Sequence, residues 1–159
     1  LKEIQIFTDG SCNNHTHNNG GCGIVLKYGE HEKHIALGQF ISTTSARMEI
    51  RAVLEALRLI TNKTIPIKLY CDNEYVVKSI NEKWVYKWEN EYWINKVGMR
   101  VNHDLWKQVL VELRSLDNIT FIWVKGHNGN KYNEICDKLA NKGAHSNVMI
   151  DDNIDIINR

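Results

Sequence analysis

The sequence predicts an α/β fold of the mixed (α+β) kind, with helices packed on a mixed sheet. Three observations carry this. The first forty residues hold three strand-like runs split by turn-rich stretches. Apolar residues at 50, 53, 54 and 57 then repeat at helical spacing. Beyond them, two further β-rich runs alternate with helical stretches. Antiparallel hairpins followed by helix-crossed strands make a mixed sheet. With 159 residues, 43% hydrophobic and 25% charged, the chain can build one sizeable core.

In order, 3–9 reads as a strand and 10–21, rich in Gly and Asn, as a loop. Residues 22–29 and 32–40 form a hairpin about Gly29-Glu30. Thr43, Thr44 and Ser45 offer N-caps for a helix over 46–60. On that helix Arg47, Arg51, Glu55 and Arg58 share the stripe opposite the apolar one. A strand follows at 65–71, with the single proline, Pro66, near its start, where a missing donor is tolerated. Helices are expected at 74–89 and 104–114 with an irregular stretch between, then a strand at 119–124 and a helix at 131–144. The period is lost from 146. The organisation expected is one domain over 1–145 and a flexible tail over 146–159.

The net charge of +1, from 20 Lys and Arg against 19 Asp and Glu, excludes a protein that coats nucleic acid by bulk charge. A local basic patch stays possible. Four scattered cysteines in a chain this large read as reduced thiols, which points to the cytoplasm. No apolar run approaches the length that spans a bilayer, so no membrane association is expected.

The carboxylates stand in telling places. Asp9 and Asp72 each end a strand, and in sheets with parallel strands ligands gather at the carboxyl ends. If the two strands are neighbours, the like charges repel, and a divalent cation is one way to keep both ionised. Read blandly, each is a turn residue. Glu49 lies off the charged stripe, above Ala52 and Ala56, where an unpaired buried charge is costly. Its partner is either an arginine or a metal shared with Asp9 and Asp72; oxygen-only ligands favour Mg²⁺ or Mn²⁺. Asp137, beside Glu134 and Asn141, reads alone as a solvated face, and His127 as a loop histidine between glycines that could shuttle a proton.

Four blocks resemble the type 1 ribonuclease H family of bacterial kind. They are Phe7-Thr8-Asp9-Gly10-Ser11-Cys12, Arg47-Met48-Glu49, Tyr70-Cys71-Asp72-Asn73-Glu74-Tyr75-Val76, and Lys125-Gly126-His127 through Cys136-Asp137-Lys138-Leu139-Ala140. The resemblance implies a five-stranded sheet ordered 3-2-1-4-5 and flanked by helices. It implies an endonuclease that cuts the RNA strand of RNA–DNA hybrids and leaves 5′-phosphate and 3′-hydroxyl ends. The family's metal-binding carboxylates fall on Asp9, Glu49, Asp72 and Asp137, and its loop histidine on His127. The cofactor implied is two Mg²⁺ ions about 3.5–4 Å apart, with Mn²⁺ as a substitute. Asp9 would be shared by both ions, Glu49 and Asp72 would hold the ion on the water or leaving-group side, and Asp137 would complete one site. His127 would assist proton transfer or product release. A monomer is expected.

Substrate contacts are implied on Cys12, Asn14, Thr44, Ser45 and Asn73, and on a basic, Trp-rich protrusion carrying Lys83, Trp84, Lys87, Trp88 and Lys96. Over 78–107, six cationic residues face four acidic ones, a modest excess of +2. Read blandly, its tryptophans are core. The sequence also departs from the family. The loop after Cys12 lacks the usual Gly and Pro, which leaves the minor-groove Asn ambiguous between Asn14 and His15. Ser45-Ala46 replaces an Asn pair, and Glu74 stands where Gln is common. These changes bear on how the hybrid's 2′-hydroxyls are read. Cys12, His15, His17 and Cys22 match no structural zinc spacing.

Overall fold

A computed structural model of the chain describes residues 2–13, 18–126 and 128–152. Three antiparallel strands open it: β1 (Ile4–Asn13), β2 (Asn19–Tyr28) and β3 (His31–Ile41). Strand β1 runs four residues past the expected end and β2 starts three residues early, so Gly10 to Cys12 belong to the ladder and not to a loop. The β2–β3 turn at Gly29-Glu30 is as expected, with Gly29 at φ +61°.

Helix α1 (Ser45–Arg58) is capped by Thr44, whose side chain accepts from the Arg47 amide at 3.2 Å. Strand β4 (Ile67–Cys71) pairs parallel with β1, and β7 (Ile119–Trp123) pairs parallel with β4. The helix expected over 74–89 is two: α2 (Glu74–Asn81) and α3 (Trp84–Asn90). They part at Lys83, which takes the left-handed conformation at φ +63°. The irregular stretch holds a small ribbon, β5 (Ile94–Asn95) with β6 (Gly98–Met99). Helices α4 (His103–Arg114) and α5 (Lys131–Ala144) match expectation.

The sheet order is β7-β4-β1-β2-β3 with a sixth strand, β8 (Ile150–Asp151), outside β3. The five-strand order implied by the resemblance is therefore present, extended at one edge. Strand alternation divides β1: Ile6 faces a large core with Ile24, Leu54, Leu69, Trp106 and Leu110, while Phe7 packs with Val25 and Cys136 beneath α5. Helices α1 and α4 thus cover one face and α5 the other.

Two expectations change here. Residues 146–152, expected to hang loosely, are tied to the sheet edge. The Gln39 amide donates to the Val148 carbonyl at 2.7 Å, and Ile150 and Asp151 pair with Phe40 and Ile41. Arg47 and Arg51, expected on the stripe opposite the apolar one, are buried. The cause is tertiary. The tail brings Asp152 and α4 brings Asp104 against that side of α1. Asp152, 0% exposed, accepts from Arg51 Nη2 at 2.7 Å, from Thr43 Oγ1 at 2.9 Å and from Arg47 Nε. Arg47 also makes a two-pronged contact with Asp104, at 3.0 and 2.7 Å.

Candidate active site

Four elements converge at the carboxyl ends of β1 and β4. The parallel pairing of those strands ends at Thr8↔Cys71, which places Asp9 and Asp72 as the next residues on neighbouring strands. Glu49 arrives from α1. Its approach depends on Gly10, where a Cβ would lie 2.4 Å from the Met48 carbonyl carbon and 2.5 Å from the Glu49 amide nitrogen. Only a residue without a Cβ lets the helix backbone rest directly on β1.

Asp137 arrives by the same device on the other face. Gly23 pairs with Asp9 across β1–β2, and a Cβ on Gly23 would sit 2.0 Å from the Cys136 carbonyl oxygen. Helix α5 therefore lies flat on β2 with Cys136 over Asp9's strand partner. Asp137, the next residue, is near enough to raise the pKa of Asp9.

The electrostatics follow from this crowding. Burial, and then the charge of Asp72, push Asp9 up to about 7. Asp9 is 5% exposed, and its Oδ1 accepts from the Gly10 amide at 2.9 Å. Burial, then Asp9 and Asp72, raise Glu49 well above the ordinary carboxylate range. Its Oε2 is buried with no hydrogen-bond partner. A buried acceptor left without a donor is costly, and a cation would satisfy it.

Glu49, Cys71 and Asp72 each offer a ligand atom within 4.8 Å of the others. Cys71 does not fit a hard cation. It belongs to the apolar core, burial pushes its thiol up, and its sulfur receives the Asn73 amide at 3.4 Å. The oxygen donors fit a hard divalent ion such as Mg²⁺ or Mn²⁺. His127 lies outside the described residues. Its neighbour Gly126 does not: a Cβ there would be 3.2 Å from Asp72 Oδ2, so the loop starts against the site.

The other expected contacts spread outward from this centre. Cys12 Sγ faces the Thr43 carbonyl at 3.8 Å, beside the exposed Thr44 and Ser45 at the start of α1. Asn73 caps α2 by accepting from the Val76 amide at 3.0 Å. Asn14, like His15 and His17, lies outside the described residues. Lys83, Lys87 and Lys96 are exposed, Trp84 and Trp88 half-buried, and Trp93 and Trp106 buried in the core. The core reading thus describes the latter pair and not the former.

Two aromatic residues at the site carried no signal of their own. Tyr75, 55% exposed, lies 6.0 Å from Trp84 and 6.3 Å from Trp88 between ring centroids, which links the protrusion to Asp72 through the first turn of α2. Trp123 reaches the Asp72 backbone from β7. Their spacing from Asp72 could have flagged Tyr75; Trp123 is 51 residues away and only strand pairing brings it near.

Comparison with known proteins matches residues 1–145 to the RNase H family model. The chain is 44% identical over 151 residues to a ribonuclease HI of Haemophilus influenzae, covering 94% of this chain and 95% of that protein. It is 42% identical over 147 residues to a ribonuclease H of Syntrophomonas wolfei, covering 92% and 99%. Among solved structures it resembles LC9-RNase H1, described as a type 1 RNase H with the type 2 active-site motif. The TM-score is 0.79 at 26% identity, over 91% of this chain and 72% of that one. It also resembles a foamy viral protease–reverse transcriptase in complex with RNA/DNA hybrid. There the TM-score is 0.73 at 25% identity, over 91% of this chain and 20% of that one.

Proposed function

The chain belongs to the ribonuclease H family, and on that premise we propose that Asp9, Glu49, Asp72 and Asp137 form its divalent-metal centre. The protein is a metal-dependent endonuclease that hydrolyses the RNA strand of RNA–DNA hybrids. One observation carries the assignment of residues: acids from four separate elements converge at the strand ends, and a buried Glu49 oxygen among them lacks a donor. We take the cofactor to be two Mg²⁺ ions, with Mn²⁺ able to replace them.

When bound, such ions neutralise the scissile phosphate and acidify the attacking water. The residues do the rest. Asp9 sits between Glu49 and Asp72 in its electrostatic contacts and feels Asp137 as well, which suits it to be shared by both ions. Glu49 and Asp72, whose ligand atoms lie within 4.8 Å of each other, would hold the ion on the water or leaving-group side, and Asp137 would complete one site from α5. Because Asp9 and Glu49 hold protons more tightly than ordinary acids, they must release them as metal enters. His127 would take or give the proton at the reacting water, or ease departure of the product, and the acids would matter more than it does.

The substrate path follows the exposed groups. Thr44, Ser45, Asn73 and Cys12 flank the acids. Lys83, Lys87 and Lys96, with Trp84 and Trp88, would grip the hybrid's DNA strand through phosphates and ring faces. The products would carry 5′-phosphate and 3′-hydroxyl ends. No described helix is long and apolar enough to cross a membrane. We place the enzyme in the cytoplasm as a monomer. The test is cleavage of labelled RNA–DNA, RNA–RNA and DNA–DNA duplexes with Mg²⁺ and with Mn²⁺. Hybrid alone should be cut, with 5′-phosphate on the fragments; cutting of DNA duplex in preference to hybrid would overturn the substrate assignment.

A further inference from the structure

Asp72 occupies an awkward stretch of backbone. It is one residue beyond the last paired position of β4, Cys71↔Trp123, and one residue before Asn73, the cap of α2. It thus lies between the two elements. The residues that cross it from β7 are 123 to 126. The Val124 amide donates to the Cys71 carbonyl at 3.0 Å. Trp123 Nε1 donates to the Asp72 carbonyl itself at 3.0 Å. At Gly126 a Cβ would lie 3.2 Å from Asp72 Oδ2, so the backbone there passes close to the carboxylate. Of the five tryptophans, Trp123 is the exposed one, at 44%. Among the described residues its indole N–H bonds to the very residue whose carboxylate is assigned to the metal centre.

We propose that Trp123 is a positioning residue for Asp72: its indole N–H extends the sheet by one hydrogen bond past the ladder and sets the carboxylate for the metal. The inference rests on the reading of Asp72 as a metal ligand. A donor that orients a ligand supports metal affinity without touching the metal, and loss of such support costs about 10–100-fold. Trp123→Phe keeps the ring and removes the donor. Trp123→His keeps a ring N–H near the same place.

The experiment is a calorimetric Mg²⁺ titration of the full chain, with tryptophan emission followed in parallel. Trp123→Phe should weaken Mg²⁺ binding about tenfold, Trp123→His should recover part of the loss, and saturating Mg²⁺ should restore most of the cleavage rate with the KM for hybrid unchanged. Mg²⁺ should shift the emission of the wild type and not of Trp123→Phe. A Trp123→Phe protein that binds Mg²⁺ as tightly as the wild type overturns the proposal, even if its Tm falls. Asp72→Asn is the separate arm. If it too leaves Mg²⁺ binding intact, the ligand reading of Asp72 has failed; if it abolishes binding while Trp123→Phe keeps the wild-type affinity, only the role of Trp123 has.

Discussion

Helix α1 stands between two buried groups of acids that are treated in opposite ways. On one side Asp104 and Asp152 are met by Arg47 and Arg51. Burial alone would raise both carboxyls, yet the guanidinium contacts hold them below the ordinary value. On the other side Asp9 and one oxygen of the half-buried Glu49 are buried beside Asp72, and desolvation with mutual repulsion holds both acids above it. The residues concerned, Arg47 and Glu49, are two apart on one helix and so face different ways. A set of acids with its cations built in is a fastening. A set without them is unfinished until a cation arrives from solution.

The contrast breaks most sharply at Asp9. Asp9→Asn should lower the cleavage rate about 10³-fold or more, because it removes a shared ligand. His127→Ala should only slow cleavage. The same Asp9→Asn should raise metal-free stability, since it relieves repulsion, and a gain of about 1 kcal/mol would show as roughly 2–4 °C in Tm. Single-turnover cleavage and thermal melts in chelator measure both.

Asp152→Ala should do the reverse. It removes the carboxylate that Arg47 and Arg51 share and should cost about 3–5 kcal/mol of stability. Molecules that remain folded should still bind Mg²⁺ and cut hybrid. Urea unfolding beside an activity assay separates the two effects. Equal loss of Mg²⁺ affinity in Asp152→Ala and Asp9→Asn would erase the distinction between the clusters.

The two sets should also respond to pH with opposite sign. Asp9 is raised from 3.8 to about 7, so the folded form binds its proton more tightly than the unfolded form. Its contribution to metal-free stability is present below about 4 and is lost as pH rises towards 7. Asp104 and Asp152 are lowered, so their contribution is present above the ordinary carboxylate value and is lost as pH falls below it. Unfolding of the wild type, Asp9→Asn and Asp152→Asn across pH 3–8 in chelator resolves the slopes. Mg²⁺ affinity should rise with pH through about 7 as Asp9 loses its proton.

The smallest effect belongs to the protrusion. Lys87→Ala and Lys96→Ala should each reduce the slope of log affinity against log salt by about one, with kcat retained. Unchanged slopes would remove these lysines from the hybrid's path.

Much of the fold was legible because local signals agreed. Turn glycine at 29, the helical period over 50–57 and the Thr44 cap each mark an element that the structure contains. The helix over 74–89 misled because its apolar period continues through Lys83, where a left-handed residue breaks the backbone without any glycine to announce it. At the candidate site, Asp9 and Asp72 were visible as strand-ending acids and Glu49 as an acid on the wrong stripe. Asp137 had no such mark, and only the resemblance singled it out.

By itself the sequence determined most of the strands and helices, and through its four motif blocks the family and the acids to watch. That information is local, carried by periodicity, caps and short motifs. The tertiary structure alone decided which charges are paired. Arg47 and Arg51 lie on a stripe that any helical wheel would give to solvent, until Asp104 and Asp152 arrive from 57 and 105 residues beyond Arg47. Asp137 is a surface acid until Gly23 lets α5 settle onto β2. The physical reason is the same in each case. The charge state and worth of a carboxylate depend on burial and on neighbours within a few ångströms, and those neighbours are set by packing between segments distant in the chain.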